Sequence, residues 1–111
     1  MSTLRIEGRV IEIDQQGFLV DLTDWSEAVA IALAENEGLT LGHEHFEVIH
    51  ALRQFYNDYQ LSPAMRPLVK YIGQQLGQDK GNSLYLLTLF PGSPAKLASK
   101  LAGLPKPDNC L

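Results

Sequence analysis

The sequence predicts an α+β fold that is mainly α: a small N-terminal β-hairpin or meander packed on a helical body, with an extended C-terminal arm. Three observations predict it. β-branched, alternating runs are confined to the first twenty or so residues. Helical periodicity with start and stop signals fills residues 24–102. Two prolines then interrupt the last eight residues.

The elements follow in order. Leu4-Arg5-Ile6 alternates, Glu7-Gly8 is a turn signal, and Arg9–Ile13 is rich in β-branched residues. Gln15-Gln16-Gly17 is a second turn before Phe18-Leu19-Val20. Two or three strands this short must pack on something, so residues 1–22 form a β element rather than a domain. Asp24-Trp25-Ser26-Glu27 has capping-box spacing, with Asp24 as the N-cap of a helix over Ala28–Glu37 that Gly38 ends.

A second helix runs from about His43 to Tyr59. Phe46, Ile49, Leu52, Arg53, Tyr56 and Tyr59 recur at helical spacing and give an apolar face with one interruption. Ser62-Pro63 reads as N-cap and first residue of a third helix to about Leu76-Gly77, although Pro67 removes a backbone donor and can delay the regular start. Gln78–Asn82 is a polar loop. Ser83 caps a short helix through Phe90, and Pro91-Gly92 breaks it. Ser93-Pro94 opens a last helix that runs to Ala102 and ends at Gly103. The helical body is thus 24–102, followed by a mobile, proline-stiffened arm at 104–111 within a single 1–111 domain.

Composition narrows the function. The chain has 111 residues, 45% hydrophobic and 20% charged, an ordinary balance for one globular unit. No stretch approaches the roughly 20 apolar residues that span a bilayer, and Met1–Arg5 opens no signal peptide. A single cysteine allows no internal disulfide, so a cytoplasmic location is expected. The net charge of −4 hides an asymmetry. Residues 1–61 carry three Arg against eleven Asp or Glu, a balance of −8, while residues 62–111 stand at +4. The basic half either meets an anionic partner or places its lysines on solvated helix faces.

Cys110 lies in that basic half, on the arm. A free cysteine is usually buried. On a terminal arm the choice is between a reactive thiol and an incidental exposed one. Asp108 and the terminal carboxylate disfavour the thiolate, so activation calls for a cation, and Lys106, Arg66 and Lys80 are the candidates for activation or docking.

The ending Ala102-Gly103-Leu104-Pro105-Lys106-Pro107-Asp108-Asn109-Cys110-Leu111 resembles the C-terminal arm of the DsrC/TusE sulfur-carrier family. Trp25-Ser26-Glu27, Ser62-Pro63-Ala64-Met65-Arg66, Lys80-Gly81-Asn82-Ser83 and Phe90-Pro91-Gly92-Ser93-Pro94-Ala95-Lys96 are similar to the same family, so the likeness spans nearly the whole chain. One branch of the family carries two arm cysteines, the first eleven residues before the second. That position is Ser99 here, which resembles the TusE-like branch with its single penultimate cysteine.

The resemblance implies a helix-turn-helix-like portion in the body. It implies a sulfurtransferase that accepts a persulfide on Cys110 and passes the sulfur towards 2-thiouridine at the tRNA wobble position. It implies a TusBCD-type donor complex and an MnmA-type acceptor enzyme with tRNA as partners, with no cofactor, metal or membrane involved. A DsrC-like partner of sulfite reductase, or a general sulfur-trafficking carrier, is the alternative within the family. From another class comes a helix-turn-helix DNA-binding regulator built on His43–Tyr59 and Pro63–Leu76 with Arg66 and Lys70 facing phosphates. The net charge of −4 weighs against direct DNA binding. His43 and His50, two helical turns apart with His45 off their face, do not form a metal set and read as solvated or capping residues.

Overall fold

The computed structural model describes residues 2–108. Strands β1 (Ser2–Ile6) and β2 (Arg9–Ile13) pair antiparallel, with Ser2 opposite Ile13 and Ile6 opposite Arg9. The turn places Glu7 and Gly8 at positive φ, 52° and 79°. The third run makes only a bridge, Leu19 to Ile13, so the sheet has two strands. Asp14 explains why the chain turns there. Its carboxylate accepts from the amides of Gln16 and Phe18, both at 2.9 Å, which closes a tight loop instead of extending the ladder.

A 3-10 turn, Leu22–Asp24, leads to α1 (Glu27–Asn36). The N-cap of α1 is Ser26, whose hydroxyl accepts from the Val29 amide, not Asp24. Asp24 instead ends the 3-10 turn and binds Arg9 at 3.0 Å, tying the strands to the helical body. Helix α2 (His43–Tyr59) follows the periodicity, and Gln60 stops it in the left-handed region at φ 57°. His45 accepts from the Gly42 amide through Nδ1, so its Nε2–H donates to the Leu89 carbonyl at 2.9 Å.

Helix α3 (Met65–Leu76) begins two residues later than Ser62-Pro63 suggests. The late start puts Pro67 in the first turn, where its missing N–H has no intrahelical acceptor to lose. Helix α4 (Ser83–Leu89) is capped by Asn82, whose side chain accepts from Tyr85, rather than by Ser83. Helix α5 (Pro94–Leu101) has its proline at the first position, as the sequence indicates.

Helix α5 is the hub. It packs on α1, α2, α3 and α4, and six of its eight residues are buried, Ser99 and Lys100 among them. Lys100 keeps its charge paired by reaching Glu37 at 2.8 Å. Ile11 and Ile13 of β2 join Val29, Leu33, Ile49, Leu52, Leu68, Ile72, Leu86, Phe90 and Leu101 in one core. Among the described residues no helix is long and apolar enough to cross a membrane.

Candidate functional site

The end of α5 decides where the arm begins. A helix leaves its last carbonyls without partners. Here the Leu104 amide donates to the Ser99 carbonyl at 3.0 Å and the Gly103 amide to the Lys100 carbonyl at 3.1 Å. With Gly103 at φ 73°, this is a Schellman ending. The next two carbonyls are taken by side chains from far away in sequence. Trp25 Nε1 donates to the Leu101 carbonyl at 2.9 Å, and Arg53 Nη1 donates to the Ala102 carbonyl at 2.7 Å.

The two side chains also hold each other. The Arg53 guanidinium lies over the Trp25 ring, 4.0 Å from its centroid. His50, one turn earlier on α2, meets the same ring edge-on at 6.0 Å and contacts Glu27 at 2.7 Å. Trp25 therefore joins α2 to the end of α5. Partial burial lowers the Arg53 pKa from its ordinary value by desolvation, and no carboxylate pairs with Arg53 among the described residues.

Beyond Gly103 the chain stays on the body for four more residues. Leu104 is 3% exposed and joins the core, and Pro107 is buried. The Ser62 hydroxyl donates to the Pro105 carbonyl at 2.6 Å. Ser62 thus holds the arm rather than capping α3. Leu104 and Pro107 are buried with Pro105 and Lys106 exposed between them, and Asp108 is exposed after them. Lys106 and Asp108 line a shallow depression with Tyr56, Gln60, Leu61 and Ser62. On its other side Lys106 faces the Asp14–Phe18 loop.

Cys110 lies outside the described residues. Of the three candidate cations, Lys106 stands exposed at the arm base and Arg66 is exposed in the first turn of α3. Lys80 is committed elsewhere, donating to Glu47 at 2.7 Å. That hydrogen bond raises the Lys80 pKa above its ordinary value and lowers the Glu47 carboxyl below its own. Glu47 and Tyr56 are separated by about 14 Å along α2, so Lys80 and Lys106 are not brought together. Ser99 is fully buried, and its hydroxyl has no hydrogen-bond partner among the described residues. The three histidines face different partners: Glu47, Gly42 with Leu89, and Glu27.

Arg53 and Ser62, which bind the chain at Ala102 and Pro105, were not singled out for that from the sequence. The available signal was the charge in the middle of an apolar helical stripe. A guanidinium there must meet a buried acceptor, because an unpaired charge would be costly.

The family model for "DsrC like protein" matches residues 5–111. Sulfurtransferase TusE of Yersinia pestis is 55% identical over 108 residues, covering 97% of this chain and 99% of the relative. Sulfurtransferase TusE of Photorhabdus laumondii is 52% identical over 111 residues, covering all of both chains. Among solved structures, Allochromatium vinosum DsrC superposes with a TM-score of 0.90 at 45% identity, covering 98% of this chain and 97% of that one. The oxidized gamma-subunit of the dissimilatory sulfite reductase (DsrC) from Archaeoglobus fulgidus superposes with a TM-score of 0.85 at 36% identity, covering 99% and 100%. With sequence and fold matched over nearly the full length, the chain belongs to the DsrC-like family.

Proposed function

We propose that this chain is a sulfurtransferase that relays sulfur on Cys110 towards tRNA thiolation. The observation that carries the reading is full-length likeness, above half identity, to relatives named sulfurtransferase TusE, in a chain whose only cysteine is Cys110. The docked segment 104–107 supports it, because it gives the cysteine a defined point of departure from the body. Ser99 stands where the two-cysteine branch of the family carries its first arm cysteine, which favours a one-thiol relay over a sulfite-reductase partner.

The chemistry conserves sulfur and electrons. The Cys110 thiolate attacks the outer sulfur of a donor persulfide. The donor S–S bond breaks, the donor leaves as a thiolate, and Cys110 carries the outer sulfur with its proton. An acceptor thiolate then attacks that outer sulfur and Cys110 leaves as a thiolate. This is thiol–disulfide exchange logic, governed by thiolate fraction and access. The donor fits a TusBCD-type complex, and the acceptor an MnmA-type enzyme with its tRNA. Lys106 and Arg66, which have no carboxylate partner among the described residues, suit docking an anionic partner. Lys80 contributes there only if Glu47 releases it.

Intact-mass spectrometry after incubation with a persulfide donor tests the reading. The mass rises by one sulfur atom, reductant reverses it, and a Cys110→Ser variant takes up none. Equal loading of that variant would remove Cys110 from the mechanism.

A further inference from the structure

We propose that Trp25 and Arg53 are positioning residues for sulfur transfer: they fix the direction in which the arm carries Cys110 into a partner, and leave the thiol's own reactivity alone. The inference rests on the sulfur-carrier reading above. The Schellman ending already satisfies the Ser99 and Lys100 carbonyls. The carbonyls of Leu101 and Ala102 could have been left to solvent, as at most helix ends. Instead an indole and a guanidinium are spent on them.

Arg53 stands where a leucine or methionine would pack more cheaply, in the apolar stripe of α2. It is partly buried and pairs with no carboxylate among the described residues. Its polar use is the Ala102 carbonyl and its stacking partner is Trp25. Gly103 completes the arrangement. A Cβ there would lie 2.3 Å from Trp25 Cδ1, so the indole fills the space beside the last turn. Three unrelated side-chain choices converge on one quantity, the path of the chain out of α5.

That quantity has leverage. Past the held segment, from Pro107 to Cys110, the chain reaches about 10 Å when extended. A tilt of about 10° of the segment that leads into it moves the far end by about 2 Å over that reach. Transfer between two sulfurs tolerates far less, since a misplacement of about 1 Å can cost on the order of 100-fold.

The test is single-turnover transfer from the persulfidated protein to an MnmA-type enzyme with tRNA, read as 2-thiouridine formed. It is run for wild type, Arg53→Met, Arg53→Lys and Trp25→Phe. Beside it, the rate at which Cys110 reacts with a small aromatic disulfide is measured. The expected split is a fall of about 10-fold or more in transfer at saturating acceptor, with the half-saturating concentration and the small-disulfide rate within about twofold of wild type. Arg53→Lys, which keeps one donor for Ala102, recovers part of the loss. Trp25→Phe keeps the ring and loses only the N–H, so it decides the matter if Arg53→Met does not fold. Transfer by Trp25→Phe and Arg53→Lys within twofold of wild type overturns the proposal. So does an equal fall in the small-disulfide rate, which would place these residues in thiol activation. If wild type acquires no sulfur, the carrier reading fails and this proposal with it; if wild type transfers and the variants match it, only this proposal fails.

Discussion

Gly103 and Trp25 share a space that admits no further carbon atom. The indole Cβ, Cγ and Cδ1 all lie within 2.8 Å of where a Gly103 side chain would begin. Gly103 also sits at φ 73°, where L-residues are disfavoured. Gly103→Ala is therefore expected to lower stability by about 2–4 kcal/mol, the sum of backbone strain and a forced shift of Trp25. Urea unfolding followed by Trp25 fluorescence measures both the loss and the altered indole environment. A loss under about 0.5 kcal/mol would mean that the indole moves aside freely.

Ser62→Ala leaves the Pro105 carbonyl without its donor. The bond is short, at 2.6 Å, and part-buried, so a loss of about 1 kcal/mol is expected. Amide resonances of Leu104 and Lys106 should shift and lose order, while those of α5 hold. In the wild type the Leu104 amide, bonded to Ser99, should be as ordered as α5 itself. High mobility at Leu104 in the wild type would show the docked segment to be free.

Ser99→Ala should stabilise the protein by about 1 kcal/mol. The hydroxyl is fully buried and unpartnered among the described residues, so its removal recovers a desolvation penalty and costs no hydrogen bond. The same burial governs Ser99→Cys. Its thiol should resist labelling in the folded state and become reactive only on unfolding, which native and denatured thiol counts distinguish. Rapid native labelling at position 99 would show that α5 opens readily.

The Lys80–Glu47 pair gives stability a pH dependence of known sign. Glu47 ionises more readily folded than unfolded, because Lys80 donates to its carboxylate. Its contribution is complete above the ordinary carboxylate range and is lost as pH falls through the folded value. The urea midpoint should therefore fall more steeply between about pH 6 and about pH 3 for wild type than for Lys80→Met. Parallel curves would show that the pair contributes nothing on the acid side.

Much of this was legible in the sequence because it depends on local rules. The periodicity of His43–Tyr59 set α2, Ser93-Pro94 set the start of α5, and Gly103 set its end. Cap assignments slipped by one or two residues where two candidates competed, Asp24 against Ser26 and Ser83 against Asn82. Ser62 was misread for a different reason. A hydroxyl beside a proline looks like a local cap, and its actual partner, the Pro105 carbonyl, is 43 residues away. Arg53 and Trp25 pose the same problem, since their acceptors lie 49 and 76 positions further on. Side chains that serve distant backbone groups leave no spacing for a sequence to display.

Those same separations bear on folding. Each of the three bonds that hold the arm's base closes a loop of more than forty residues, and closures of that kind come late because chain entropy opposes them until the surrounding packing is in place. A copy with all its helices formed can therefore still lack the three bonds that join the end of α5 and the segment after it to the rest of the body.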